Sequence, residues 1–295
     1  MAYGGNDWLA LTQEPTLEPE IAICDPHHHF WDFRSARIPY QRYLLHELIA
    51  DVECGHNVRS TVFIEARAMY RPRGPMELRP IGEVEFVQGL AAASASGLYG
   101  PCRAASAIVG HADLKLADRV EPVLEALQAA SPNRFRGIRH TVTWDAHPEV
   151  ENREKEGVLA TVEYQAGARV LARMGLSLDT GVCFPQLPEL AEFARAVPDL
   201  MIILNHLGGL NRIGPYSDHD DEVLPAWRSR RRREMPQRQP QAGRHRYAAA
   251  RFRLAHSRQA DRLGRAGRVD GAAGELLHRA VRRGSLHVRE QLSGR

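Results

Sequence analysis

Three consecutive histidines, His27, His28 and His29, lie inside the stretch DPHHHFWD, directly after the apolar run at residues 21–24. In an extended segment alternate side chains share a face, so His27 and His29 project together and His28 faces away. Two neutral imidazoles aimed at one point can bind a divalent metal. Without metal they can polarise a carbonyl or carry protons. Asp25 is placed to orient one of them.

These residues need a scaffold that ends strands near one another. Apolar, β-branched runs at 21–24, 60–65, 104–109, 135–144, 176–183 and 201–204 read as six strands. Helical spacing separates them at 81–93, around Val120 to Leu127, at about 158–174, and from Pro188 through Leu190, Phe193 and Val197. Strand then helix, repeated, predicts an α/β protein with parallel strands. A (β/α)8 TIM barrel is the expected architecture, with active-site groups where strands end. A doubly wound sheet is the runner-up, but no Gly-rich phosphate loop follows an early strand.

Under that architecture more polar residues fall at strand ends: Glu65 after the second strand, His111 and Asp113 after the third, Arg139 and His140 in the fourth, and His206 after the sixth. Each also has an ordinary reading. A lone histidine at a strand end is usually a surface or hydrogen-bonded residue, and Glu65 with Arg67 reads equally as an exposed pair. Trp31, with Phe30, Tyr40 and Trp144, reads as pocket lining or as core.

DPHHHFWD after a first strand, RGIRH at 136–140, PQLPEL at 185–190 and ILNHLGG at 203–209 resemble the amidohydrolase superfamily. The branch they are most similar to is the amidohydrolase-2, or TIM-barrel metal-dependent hydrolase, group. It includes lactonases acting on sugar lactones and on pyrone dicarboxylate, and related decarboxylases. The resemblance runs from about Trp8 to Trp227. It implies a barrel with its site at the C-terminal mouth, His27 and His29 as the first-strand pair and His206 as the sixth-strand histidine. It implies Arg139 as an anion clamp, a role that suits a guanidinium fork. His140, Glu65, His111 and Trp31 are the further substrate-binding candidates. The fourth strand carries Arg139 where two-metal members carry Lys or Glu, and 183–185 reads Cys-Phe-Pro with no histidine. A two-metal centre is therefore not expected. One zinc or manganese ion on His27, His29 and His206, or no metal, fits better.

Composition divides the 295-residue chain. Its net charge of +3 conceals a net −11 over 1–227 and a net +14 over 228–295, where 19 arginines stand with no lysine and five acids. Segment 1–227 is expected to hold the first six barrel strands. Segment 228–295 has no apolar run for the seventh and eighth, and its arginine-heavy composition is that of a GC-rich gene read out of frame. Reading 234–249 from the second base of each codon permits Lys-Cys-Pro-Asn-Val-Asn-Leu-Lys-Leu-Gly-Gly-Ile-Gly-Met-Pro. Residues 287–294 treated alike permit Met-Phe-Glu-Ser-Asn-Phe-Pro. Both products resemble the family's strands at these places. A frameshift near 228–233 is therefore expected, leaving the barrel incomplete, the tail disordered and the chain prone to aggregate. The eighth-strand aspartate of the family has no counterpart in the tail.

The expected function is that of a hydrolase opening a lactone or similar carboxylated cyclic ester, with histidine-assisted activation of water on a small-molecule substrate. The alternatives are a nonoxidative decarboxylase on the same barrel and an inactive product of a damaged gene. A minor alternative is nucleic-acid binding through the basic tail around residues 230–233. The N-terminus lacks the basic start and apolar core of a signal peptide, and no apolar run reaches about 20 residues, so a membrane partner is not expected. Four scattered cysteines without a CxxC spacing suit a reducing cytoplasm.

Overall fold

The computed structural model describes residues 15–33, 41–211 and 213–234. The chain forms two compact units. One runs to Asp113 and adds Asp118–Arg139; the other takes Leu114–Ala117 and continues from His140.

The first unit contains strands β1 (Ile23–His28), β4 (Val58–Ile64), β5 (Arg103–Gly110) and β6 (Phe135–Arg139), paired in that order and all parallel. The short pair β2 (Trp31–Asp32) and β3 (Arg42–Tyr43) forms a separate antiparallel ribbon. Its two-residue strands carry no period for sequence reading to find, and Trp31 stacks on Tyr43 there with ring centroids 5.1 Å apart. Helices α1 (Leu45–Val52), α2 (Ile81–Ala95) and α3 (Glu121–Ala130) complete the unit. Parallel strands need crossovers, and helices supply them. Val84 and Val87 of α2, Leu124 and Leu127 of α3, and Phe63, Ile108, Phe135 and Ile138 of the strands are fully or almost fully buried. Gly110 ends β5 where a Cβ would sit 3.0 Å from Val84 and 3.2 Å from Phe135, so only a residue without one fits comfortably.

The second unit contains α4 (Val162–Arg173), β7 (Ser177–Thr180), α5 (Leu187–Ala196), β8 (Met201–Leu204) and α6 (Asp220–Glu234). Strands β7 and β8 are parallel and paired from Ser177↔Met201 to Thr180↔Leu204. Thr161 caps α4 by accepting from the Tyr164 N–H. Gly167 in α4 lies so close to Leu114 that a Cβ would fall 2.3 Å from its carbonyl oxygen.

The α/β class and its parallel strands agree with the sequence reading. Its sixth strand is β8, with the same bounds. Its first strand extends further, through His28, because the histidines continue the extended backbone. Its fourth is shorter: β6 stops at Arg139, so His140 lies beyond the strand. The fifth is also shorter, four residues, with 181–183 leading into a 3-10 turn opened by Pro185. Helix α6 passes residue 227, where the first segment was expected to end. The expected seventh and eighth barrel strands and the tail from 235 lie outside the described residues. Among the described residues no helix is long and apolar enough to cross a membrane.

Candidate active site

The alternation expected of 27–29 is present. His28 turns into the core, 7% exposed, with its ring 4.7 Å from Phe30 and 5.8 Å from Phe63, centroid to centroid. Neither ring nitrogen has a hydrogen-bond partner. Burial, with His29 beside it, pushes its pKa down to about 3, so it is a neutral core residue near pH 7.

His27 and His29 meet on the other face, Nε2 to Nε2 at 3.3 Å, with the rings edge to face. Asp25 contributes to this geometry through the backbone: its Oδ1 accepts the His27 N–H at 3.1 Å. His29 Nδ1 lies 2.7 Å from the Ile64 carbonyl oxygen, which can only accept. That bond assigns the proton to Nδ1 and leaves a lone pair on Nε2. His111 repeats the device one strand pair along: its Nδ1 donates to the Arg139 carbonyl at 2.9 Å. Each histidine follows a strand and is oriented by the carbonyl that ends the neighbouring one.

Glu65 follows β4 directly and is only 3% exposed. The alternative of an exposed Glu65–Arg67 pair is therefore not what forms. Glu65 pairs with Arg139 at the end of β6: Arg139 Nε donates to Oε1 at 2.8 Å and Nη2 donates to the Glu65 main-chain carbonyl. Arg139 Nη1 lies 3.5 Å from His27 Nε2. The expected anion clamp is thus held in part by an internal carboxylate. Two of its five N–H groups serve Glu65, and Nη1 is directed to the histidine pair.

Sequence reading did not single out Glu83 or Tyr70, and both border this cluster. Glu83, fully buried on α2, accepts the Ala66 and Ala68 N–H groups at 2.9 Å each through Oε1. Burial first, and the Glu65 charge second, push its pKa up to about 8. Burial and the same two carboxylates push the Tyr70 phenol up. Glu65 Oε2, Glu83 Oε2 and Tyr70 Oη are buried without a hydrogen-bond partner. An acid in the first turn of a helix ordinarily reads as a dipole partner, which hides Glu83 in the sequence.

The second unit holds His140 and His206. His140 Nδ1 accepts the Leu114 N–H at 3.3 Å, so its proton sits on Nε2, 3.3 Å from Glu154 Oε1. Lys115 also pairs with Glu154. The His140 hydrogen bond first, then Lys115, hold the Glu154 carboxyl down at about 2 despite partial burial. With 3% exposure, His140 ties loops together through these bonds. His206 is exposed, in left-handed backbone at φ 48°, after Asn205, whose Nδ2 donates to Asp179 Oδ1 at 3.1 Å. In the PQLPEL motif, Gln186 Oε1 accepts from the N–H groups of Trp144 and Cys183, and Nε2 donates to the Val142 carbonyl at 3.0 Å. That motif is therefore a latch between loops.

A tetrahedral zinc ion with Zn–N bonds of about 2.0–2.1 Å sets its imidazole nitrogens about 3.4 Å apart, so the His27–His29 spacing matches one edge of such a site. Among the described residues no group of three or more His, Cys, Asp or Glu side chains could hold a metal ion. The Arg139 cation beside His27 also opposes a second positive charge. The described donor set does not fit a resident metal.

No family model matches the chain. It is 30% identical over 206 residues, 64% of its length, to an uncharacterised protein of Sinorhizobium fredii, and spans 63% of that relative's length. Among solved structures, it is similar to an amidohydrolase from Burkholderia multivorans with bound zinc, at 22% identity and TM-score 0.48, covering 70% of this chain and 63% of that one. It is also similar to a probable 2-pyrone-4,6-dicarboxylic acid hydrolase from Acinetobacter baumannii with citric acid bound, at 13% identity and TM-score 0.47, covering 70% and 65%.

Proposed function

We propose that this chain is a hydrolase of the amidohydrolase-2 type, built on TIM-barrel architecture, that opens a lactone or similar carboxylated cyclic ester. The reading rests on one observation. His27 and His29 face each other through Nε2 at 3.3 Å, with the Arg139 guanidinium 3.5 Å from His27. The motif resemblance supports it independently.

The tautomers define the roles. His29 carries its proton on Nδ1; with the proton of His27 on Nε2, that N–H donates across the pair, and the 3.5 Å approach of Arg139 Nη1, which can only donate, is a contact and not a hydrogen bond. When a substrate carbonyl enters, His27 Nε2–H turns to the carbonyl oxygen and His29 Nε2 is freed to accept from water. Water attacks the carbonyl carbon as its proton passes to His29 Nε2. The oxyanion is held by His27 Nε2–H and Arg139 Nη1. Collapse breaks the ring C–O bond, and the proton on His29 leaves with the ring oxygen. The product is the ring-opened carboxylic acid, which releases a proton at neutral pH. A positioned base of this kind contributes about 10²–10⁴-fold. Arg139 also suits a second carboxylate on the substrate through its remaining N–H groups.

No step here requires a metal. Proton release on adding 2-pyrone-4,6-dicarboxylate to the full chain, in chelator and with zinc, tests the reading. Release in chelator is expected; zinc-dependent release alone would replace the mechanism, and none in either condition would remove the function.

A further inference from the structure

The loop between β4 and α2 is held at several points and conformationally costly. Glu65 N–H donates to the Val109 carbonyl at 2.9 Å, and Arg71 N–H to the Arg79 carbonyl at 2.9 Å. Between those anchors Arg67 and Met69 both adopt left-handed backbone, at φ 57° and 56°. Residues other than glycine avoid that region unless their surroundings compel it. Gly82, next to Glu83, lets the loop approach: a Cβ there would sit 2.6 Å from the Met69 carbonyl oxygen and 2.8 Å from Arg71 N.

What compels the loop is Glu83. One carboxylate oxygen accepts both the Ala66 and the Ala68 N–H, spanning the left-handed Arg67. Successive backbone N–H groups around a left-handed residue form a concave anion site, and here a side chain of the same chain fills it. The first of those N–H groups belongs to the residue after Glu65, the residue that carries Arg139. A buried carboxyl group with one oxygen unpartnered is an expensive way to hold a loop, since an apolar residue packs there at less cost. Its presence suits a requirement for close placement of Glu65.

We propose that Glu83 is a positioning residue for the candidate site: it fixes the Ala66–Ala68 turn, the turn fixes Glu65, and Glu65 aims Arg139 at the His27–His29 pair. This deepens the hydrolase reading and rests on it for the site's purpose.

The test needs no substrate. In the full chain labelled with ¹⁵N-arginine, the Arg139 Nε–H signal is identified by its loss in Arg139→Lys. Its hydrogen exchange is then compared in the native chain, Glu83→Leu and Glu83→Gln. Leucine removes the acceptor, and exchange is expected to quicken about tenfold or more as the Glu65 contact loosens. Glutamine keeps an acceptor and is expected to restore protection. Unchanged exchange in Glu83→Leu would overturn the proposal. If that variant does not fold, the pH profile decides. Glu65 just after β4, Arg139 at the end of β6 and Tyr70 after the turn face Glu83. In the native chain the Arg139 signal is expected to titrate near pH 8 and in Glu83→Gln to lose that step. Identical profiles in the two chains would overturn the proposal. Loss of hydrolysis with these signals as expected would remove the hydrolase reading alone.

Discussion

Arg139 and Glu65, 74 residues apart in sequence, form a two-point pair: Nε donates to the carboxylate at 2.8 Å and Nη2 to the main-chain carbonyl of the same residue. Side-chain exposures of 14% and 4% place the pair largely out of water. Breaking one member of such a pair leaves the other charge buried, which costs about 3–5 kcal/mol. Glu65→Ala is therefore expected to lower stability by an amount in that range in urea titration. Arg139→Lys, which cannot reproduce the fork, is expected to lose the geometry while retaining the charge. A loss below about 0.5 kcal/mol in Glu65→Ala would mean the pair is solvated in solution.

His28 predicts a pH dependence. Its folded pKa of about 3 lies below its ordinary value of 6.5. Between those values the unfolded chain binds more protons, so stability falls as pH drops through that window. The slope from this residue approaches about 1.4 kcal/mol per pH unit. Above pH 6.5 the residue is neutral in both states and contributes no slope. His28→Leu removes two unpartnered ring nitrogens from the core and is expected to be at least as stable as the native chain at pH 7 and more stable at pH 5. Denaturant midpoints at the two pH values check this; parallel shifts at both would contradict it.

Gly167 predicts a packing limit. A Cβ there would fall 2.3 Å from the Leu114 carbonyl oxygen, and the obstacle is backbone. Gly167→Ala would ordinarily favour a helix, yet here it is expected to lower stability by about 1–3 kcal/mol. A thermal midpoint unchanged or raised would mean that α4 and the 114–117 segment lie further apart in solution.

The basic tail predicts something about the gene. Sequencing the locus across codons 220–295 is expected to reveal a one-base change relative to an intact relative, restoring two apolar barrel strands. An uninterrupted frame would make the arginine-rich segment genuine and remove the frameshift reading.

Much of the scaffold was legible because apolar runs and helical periods are local. Residues 201–204 form the strand their composition announces, and Pro188 stands in the first turn of its helix. The His27–His29 pairing was legible for the same reason, since period-two alternation needs no partner. Pairing between distant residues was not. Nothing local distinguishes Glu65, buried under Arg139, from a solvated acid, or Glu83, which serves a loop 15 residues away, from a helix-dipole partner. The partners of His140 were not legible either. It neighbours Arg139 in the RGIRH motif, but the strand ends between them, and His140 turns to Leu114 and Glu154.

The central claim is that the His27–His29 pair activates water for ester opening, and one rate comparison tests it most directly. Hydrolysis of 2-pyrone-4,6-dicarboxylate by the full chain is measured in chelator alongside His29→Asn, which removes the base while preserving a polar side chain. The account predicts hydrolysis by the native chain and a fall of about 10²-fold or more in kcat for the variant, with KM little changed. Equal rates in the two chains would contradict it.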